Sequence, residues 1–255
     1  MVLKIKHFVV FATFAIFYSC GEQQPTLKSI EGKQLVIDSS LTSKASIESF
    51  VKPYRERVDQ VLDSTLAYAP YPISKTDGAL NTTAGNLMAD IVLWEADPIF
   101  KSRTGHHIDF VLLNHGGIRS LISKGNVSSR TAYEVMPFEN AIVVAELKGA
   151  SLLKMASYLR DSGRAHPISG LQLTLDPQNE IHSISIQGKP LDENKTYYVA
   201  TSNYLVNGGD SMFFFKEALN ITNTDYLIRN AMIDYFKKVD TLKPVVDDRF
   251  IKLSK

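Results

Sequence analysis

Ile108-Asp109-Phe110-Val111-Leu112-Leu113-Asn114-His115-Gly116-Gly117-Ile118-Arg119 is a short apolar run closed by a polar residue and a glycine pair. A run this short, bounded by turn residues, predicts a buried strand that ends at Asn114. The segments around it carry a different period. Ile47, Phe50, Val51, Tyr54, Val58, Val61 and Leu62 recur at helical spacing, predicting a helix from Ser46 to Leu62 that contains Pro53. Gly85 to Ala96 predicts a second helix in which Leu87, Met88, Ile91, Val92 and Trp94 are apolar. Ala141–Leu147 reads as a strand and Ser151–Leu159 as a helix. Leu171, Leu173 and Leu175, then Ile181, Ile184 and Ile186, form two runs parted by Pro177, Gln178 and Asn179, which predicts a hairpin. Tyr197–Ala200 is a further strand, Thr224–Val239 a helix opened by Asp225, and Phe250–Leu253 a closing strand. Gln34–Asp38 is short and apolar enough for a first strand. Helices and strands interleave around at least one hairpin. That favours an α+β fold, a mixed β-sheet flanked by helices, over a doubly wound parallel sheet.

The 255 residues are 44% hydrophobic and 22% charged, with one cysteine. This composition excludes disordered, collagenous and polytopic membrane chains. One cysteine excludes an internal disulfide framework and a thiolate metal cluster. The formal charge of +1 offers no basic field for a nucleic-acid polymer. The cysteine itself stands at position 20. Lys4 and Lys6 precede an apolar stretch from Phe8 to Tyr18, and Ser19 precedes Cys20. That is the layout of an export signal, and Tyr18-Ser19-Cys20-Gly21 resembles a bacterial lipobox. The expectation is a signal peptide over residues 1–19, lipidation at Cys20, a polar tether over residues 20–30 and one domain over residues 31–255. The protein would then work outside the cytoplasm, anchored to a bacterial membrane by several acyl chains.

Four stretches carry a family resemblance, and they occur in that family's order. They are Gly85-Asn86-Leu87-Met88-Ala89-Asp90; Asn114-His115-Gly116-Gly117-Ile118-Arg119; Val135-Met136-Pro137-Phe138-Glu139-Asn140 with Leu147-Lys148-Gly149; and Ala200-Thr201-Ser202-Asn203-Tyr204-Leu205-Val206-Asn207-Gly208-Gly209-Asp210. Together they resemble the C-terminal, substrate-binding domain of the 5′-nucleotidases. The ending Pro244-Val245-Val246-Asp247-Asp248-Arg249-Phe250 is similar to that domain's close.

The resemblance implies a nucleotide or nucleoside ligand. Phe138 and Tyr204 would face the two sides of the base, Tyr204 standing where the family usually has Phe. Asn140 would reach the base edge, and the Tyr204 hydroxyl would add a polar handle that alters base preference. Asp210, after Gly208 and Gly209, would accept the two ribose hydroxyls. Asn114 would contact the ligand beside the Gly116-Gly117 turn, where backbone can approach closely. Arg119 would bind phosphate with its planar guanidinium. Each residue also has a plainer reading: Asn114 and Asp210 as turn formers, Arg119 as a surface ion-pair partner, Phe138 and Tyr204 as core.

The sequence departs from the family in two places. Before Gly85 the family commonly has Arg and Glu, whereas here Gly78-Ala79-Leu80-Asn81-Thr82-Thr83-Ala84 carries neither. One phosphate-binding arginine is therefore missing or supplied elsewhere, with Arg103 and Arg164 as candidates. His115 stands where a small residue is common and reads as a solvent-facing imidazole, the alternative being a local acid or base near the site. The family's chemistry resides in a metallophosphatase domain that binds two divalent metals. Here six histidines form no Asp-x-His or His-x-His, and only about 25 residues separate Cys20 from the first helix, too few for a domain. The chain is therefore expected to need no cofactor of its own and to be inactive alone. It would be the recognition half of a split 5′-nucleotidase, with a separate metallophosphatase chain. The alternatives are a nucleoside-binding surface lipoprotein with no enzyme role, and a metal enzyme built from His106, His107 and His115.

Overall fold

The computed structural model describes residues 27–254. The expected signal peptide, Cys20 and most of the expected tether lie outside the described residues. The chain divides into a unit ending at Phe50 and a unit beginning at Val51. In the first unit, Gln34–Asp38 is not the expected strand: Leu35, Val36 and Ile37 are exposed and lie in no ladder. An apolar run becomes a strand only where another strand takes up its backbone groups. Asp38 makes a local turn instead, its Oδ1 accepting the Ser40 amide at 2.9 Å and hydroxyl at 2.6 Å. Helix α1 (Ala45–Leu62) starts in this unit and continues into the next. It forms as the periodicity predicts, through Pro53, yet none of its side chains is buried. Its C-terminal turns, within the second unit, pair with Arg130, which donates to Asp59 at 2.6 Å and to Asp63 at 2.5 Å.

From Thr65 onward the elements are β1 (Thr65–Ala69), α2 (Thr83–Thr104), β2 (Phe110–Leu112), β3 (Gly125–Ser128), α3 (Ser129–Val135), β4 (Ala141–Lys148), α4 (Gly149–Ser162), β5 (Ile168–Ser169), β6 (Leu171–Leu175), β7 (Ile181–Ile186), β8 (Lys189–Pro190), β9 (Thr196–Ser202), α5 (Asn203–Val206), β10 (Asn220–Leu227), α6 (Ile228–Lys238) and β11 (Phe250–Lys252). The central sheet has the order β10-β4-β9-β2-β5. Only β2 and β9 are parallel in it, so the sheet is mixed. A second sheet runs β11-β6-β7-β8, and β1 pairs with β3.

The inner strands β4 and β2 and the C-terminal half of β9 are buried on both faces, which is why they read as continuous apolar runs. Successive side chains point to opposite faces. Val111, Ile142, Val144 and Ala200 pack against α2 and α6, with Leu87, Met88, Ile91, Met232 and Phe236. Phe110, Leu112, Ala145, Leu147 and Val199 pack against α4 and the β6–β7 hairpin, with Met155, Leu159, Leu171 and Leu173. Burying each such large side chain contributes about 1.5–3 kcal/mol. The expected hairpin is present, Leu173 facing Ile184 across it.

Several boundaries differ from expectation. α2 starts two residues before Gly85, where Thr82 caps it by accepting the Gly85 amide. It runs past Pro98 to bury Phe100. Trp94, seven residues on from Leu87 at the margin of the buried stripe, is 69% exposed. The helix expected from Thr224 begins only at Ile228. Residues 220–227 are instead the edge strand β10, bulged between Asn223 and Tyr226, with Asp225 left-handed at φ 55°. Pairing with β4 overrides local preference there, and the buried Thr224 hydroxyl donates to the Ile142 carbonyl at 2.7 Å.

The Gly85-Asn86 motif and the chain's ending hold each other. Asn81 Nδ2 donates to the carbonyls of Asp247 and Phe250, and Asn86 Nδ2 to that of Val245. Arg249, whose side chain is mostly buried, completes the tie through Asp90, Asp247 and the Ile168 carbonyl. Removing one member of such a network leaves the others desolvated and unpaired. Arg249→Ala is therefore expected to cost about 2–3 kcal/mol, read as a lower denaturant midpoint with an unchanged slope.

Candidate functional site

The sheet order places three chain segments together. β9 is parallel to β2 and antiparallel to β4, with Ser202 opposite Ile142 and Ala200 opposite Val111. The C-terminal ends of β2 and β9 and the N-terminal start of β4 therefore share one edge. Leaving β2, the chain reaches buried Asn114 and a 3₁₀ turn over His115–Gly117. The loop before β4 carries Phe138 and Asn140. After β9 comes α5 with Tyr204, then a 3₁₀ turn over Gly209–Ser211 with Asp210.

These loops enclose a cleft of about 270 Å³ lined by Asn114, Gly116, Gly117, Arg119, Phe138, Asn140, Tyr204 and Asp210. Eight of the nine expected ligand contacts thus converge. The ninth, Gly209, lies under the Tyr204 ring. A Cβ at Gly209 would sit 2.4–2.6 Å from that ring, so the glycine makes the room Tyr204 occupies. Neither aromatic is core: Phe138 is 41% and Tyr204 45% exposed. Arg119 stands with its guanidinium carbon 5.8 Å from the centre of the Phe138 ring, and among the described residues no carboxylate pairs with it.

Asp210 is the polar centre of the cleft. Its Oδ2 accepts from Asn114 Nδ2 at 2.9 Å and its Oδ1 from the Tyr204 hydroxyl at 3.0 Å. The same hydroxyl accepts the Asp210 amide at 3.3 Å, and the Tyr158 hydroxyl donates to the Asp210 carbonyl at 2.7 Å. A carboxylate has about four acceptor sites, so two internal bonds leave capacity for two further donors. The Tyr204 hydroxyl, expected as a handle toward the base, is turned to Asp210 instead.

Several positioning residues escaped the sequence reading. Arg229 is 5% exposed and spans the loop that presents Phe138. It donates to the carbonyls of Pro137 at 3.3 Å and Phe138 at 3.4 Å, and to Glu139 Oε1 at 2.5 Å, and it stacks over Tyr133. Asn203 Oδ1 accepts from both Ala141 and Tyr204 amides, tying the two aromatic segments together. Only Asn203 had a local signal, its place inside the fourth motif.

Of the arginines proposed to fill the family's gap, Arg103 is turned away: it binds the Asn223 carbonyl and Asp225. Arg164 lies with Tyr158, Ser162 and Ser211 along a neighbouring cleft that shares Asp210. His115 is half-buried rather than solvent-facing, its Nδ1 3.3 Å from the Ala165 carbonyl. His107 pairs with Asp97 at 2.7 Å and His106 stacks on Tyr198, so these two do not converge with His115. Among the described residues no group of three His, Cys, Asp or Glu side chains is placed to hold a metal ion, and no metal chemistry is assigned to them.

Arg229→Ala is expected to release the Phe138 loop. Amide exchange over residues 138–140 should rise at least about tenfold, with a stability loss of about 2 kcal/mol, while Arg229→Lys should recover part of the protection.

Residues 64–217, more than half of the chain, match the family model described as "5′-nucleotidase, C-terminal domain". The chain is 32% identical over 134 residues to Protein UshA of Yersinia enterocolitica, covering 51% of this chain and 24% of that protein. It is 27% identical over 209 residues to Cell wall protein Lmo0130 of Listeria monocytogenes, covering 73% and 26%. Its fold matches the crystal structure of the 5′-nucleotidase precursor from Thermus thermophilus with a TM-score of 0.67 at 26% identity, covering 82% of this chain and 43% of that one. The chain spans less than half the length of each. From the matched residues, and from the fold that carries them, the chain belongs to the 5′-nucleotidase C-terminal domain family.

Proposed function

We propose that the chain is the nucleotide-recognition unit of an extracytoplasmic 5′-nucleotidase. The observation that carries this reading is the convergence of two exposed aromatic rings, one carboxylate and one guanidinium without a carboxylate partner on a single small cleft. Phe138 and Tyr204 stack on the two faces of a base, an interaction worth about 1–3 kcal/mol per base. Asn140 faces the base edge. The free acceptor sites of Asp210 take the ribose hydroxyls, and Arg119 takes phosphate oxygens in a bidentate fork. These residues hold and orient. Bond breaking is assigned to a separate metallophosphatase chain that brings the divalent metals. On this reading residues 1–19 are an export signal, Cys20 is lipidated, residues 20–30 are a tether and residues 31–255 are the recognition domain on a bacterial membrane. A cell wall protein among the relatives supports an extracytoplasmic setting.

A second reading, a nucleoside-binding lipoprotein without an enzyme role, draws on the stretch 78–84. It carries no cation, and its Asn81 is spent on the chain's ending.

Calorimetry separates the two. The first reading expects AMP to bind more tightly than adenosine, with Arg119→Ala erasing the difference. Equal affinity in the wild type favours the second. Phe138→Ala and Asp210→Ala should each weaken adenosine binding by about 5- to 150-fold without unfolding the protein. Unchanged affinity in both removes the assigned site. AMP hydrolysis should appear only on mixing with the metallophosphatase chain. Mixing that yields no phosphate release leaves the split enzyme without support.

A further inference from the structure

His166 lies behind the cleft, 2% exposed, and no motif pointed to it. Its Nδ1 accepts the His115 backbone amide at 3.3 Å. That bond sits at the start of the 3₁₀ turn that delivers Asn114, Gly116 and Gly117. Its ring also packs on Tyr158, centroids 5.6 Å apart, and Tyr158 is the residue that holds the Asp210 carbonyl. The two loops meeting at Asp210 and Asn114 are 96 positions apart in sequence, and this one imidazole touches the support of both.

We propose that His166 is a positioning residue: as a neutral ring it braces the Asn114 turn through the His115 amide and the Asp210 turn through Tyr158. The proposal rests on the nucleotide reading only for its ligand, since the bracing itself is a property of the fold.

The chemistry requires neutrality. An imidazole nitrogen that accepts an N–H cannot carry a proton. Nδ1 is therefore bare and Nε2 carries the hydrogen, buried without a hydrogen-bond partner of its own. Burial holds the ring down to about 4 from its ordinary 6.5, with His115 and Arg164 also opposing the charge and Asp210 and the Leu113 carbonyl favouring it. An unfolded chain would protonate this histidine near 6.5. The stability contributed by the neutral ring is therefore full above pH 6.5 and is lost as the pH falls from 6.5 to about 4.

Two variants part the functions. His166→Phe keeps a ring against Tyr158 and removes the acceptor. His166→Asn keeps an acceptor near the place of Nδ1 and cannot titrate. In His166→Phe, hydrogen exchange at the His115 amide should rise at least about tenfold and adenosine should bind about tenfold more weakly. His166→Asn should stay within about threefold of wild type on both measures. The wild-type melting temperature should fall more steeply between pH 6.5 and 4 than that of His166→Asn. A His166→Phe protein with a protected His115 amide and unchanged adenosine affinity overturns the proposal. So does a His166→Asn protein as defective as His166→Phe. If wild type binds neither adenosine nor AMP, the nucleotide reading fails, and the exchange and melting measurements alone judge the brace.

Discussion

β9 must be hydrogen-bonded on both sides, and everything functional in this fold follows from that. A central strand cannot leave its backbone groups unpaired in a buried sheet. Here β2 satisfies one side in parallel and β4 the other in antiparallel sense. Three loops with no sequence proximity are thereby delivered to one edge. The apolar side chains on both faces then fix the register, because a one-residue slip would exchange the two faces of every strand. Glu146 against Tyr198 and Val144 against Ala200 are settled by packing, and the placing of Phe138, Tyr204 and Asn114 comes with them.

What the sheet delivers, polar contacts refine. The loop tips are joined by a short chain of hydrogen bonds from Asn203 through Tyr204 and Asp210 to Asn114. The loops are also anchored in the body, by Arg229 under the Phe138 loop and by Tyr158 under Asp210. A site ordered before its ligand arrives loses less conformational freedom on binding. The exposed aromatics are held by backbone and by neighbours, which lets them stay out of the core.

The residues that line the cleft were legible in the amino-acid sequence because each lies inside a contiguous motif whose glycines, prolines and asparagines mark it as a loop. Strands buried on both faces, such as Ala141–Lys148, were legible for their unbroken apolar character. β10 was not: Asn220–Leu227 is polar along its exposed side, and its bulge at Asp225 mimics a helix cap. Arg229 and His166 had no local signal at all. Their partners lie 92 and 51 residues away, and only the folded chain makes either one consequential. The Gly85-Asn86 motif marks the start of α2, and its asparagine belongs to the scaffold, clasping the C-terminal segment.

Asp210 adopts φ 48° and Ser211 φ 59°, both in the left-handed region. Such a backbone costs a residue with a side chain roughly 1–3 kcal/mol, although Asp tolerates it better than most. Glycine would be at ease in the first of these positions. The molecule places a carboxylate there all the same, at the point where Asn114, Tyr204 and Tyr158 meet. Two demands thus meet at a single residue: the backbone there would be easiest for glycine, while the carboxylate that joins Asn114 to Tyr204 requires an aspartate.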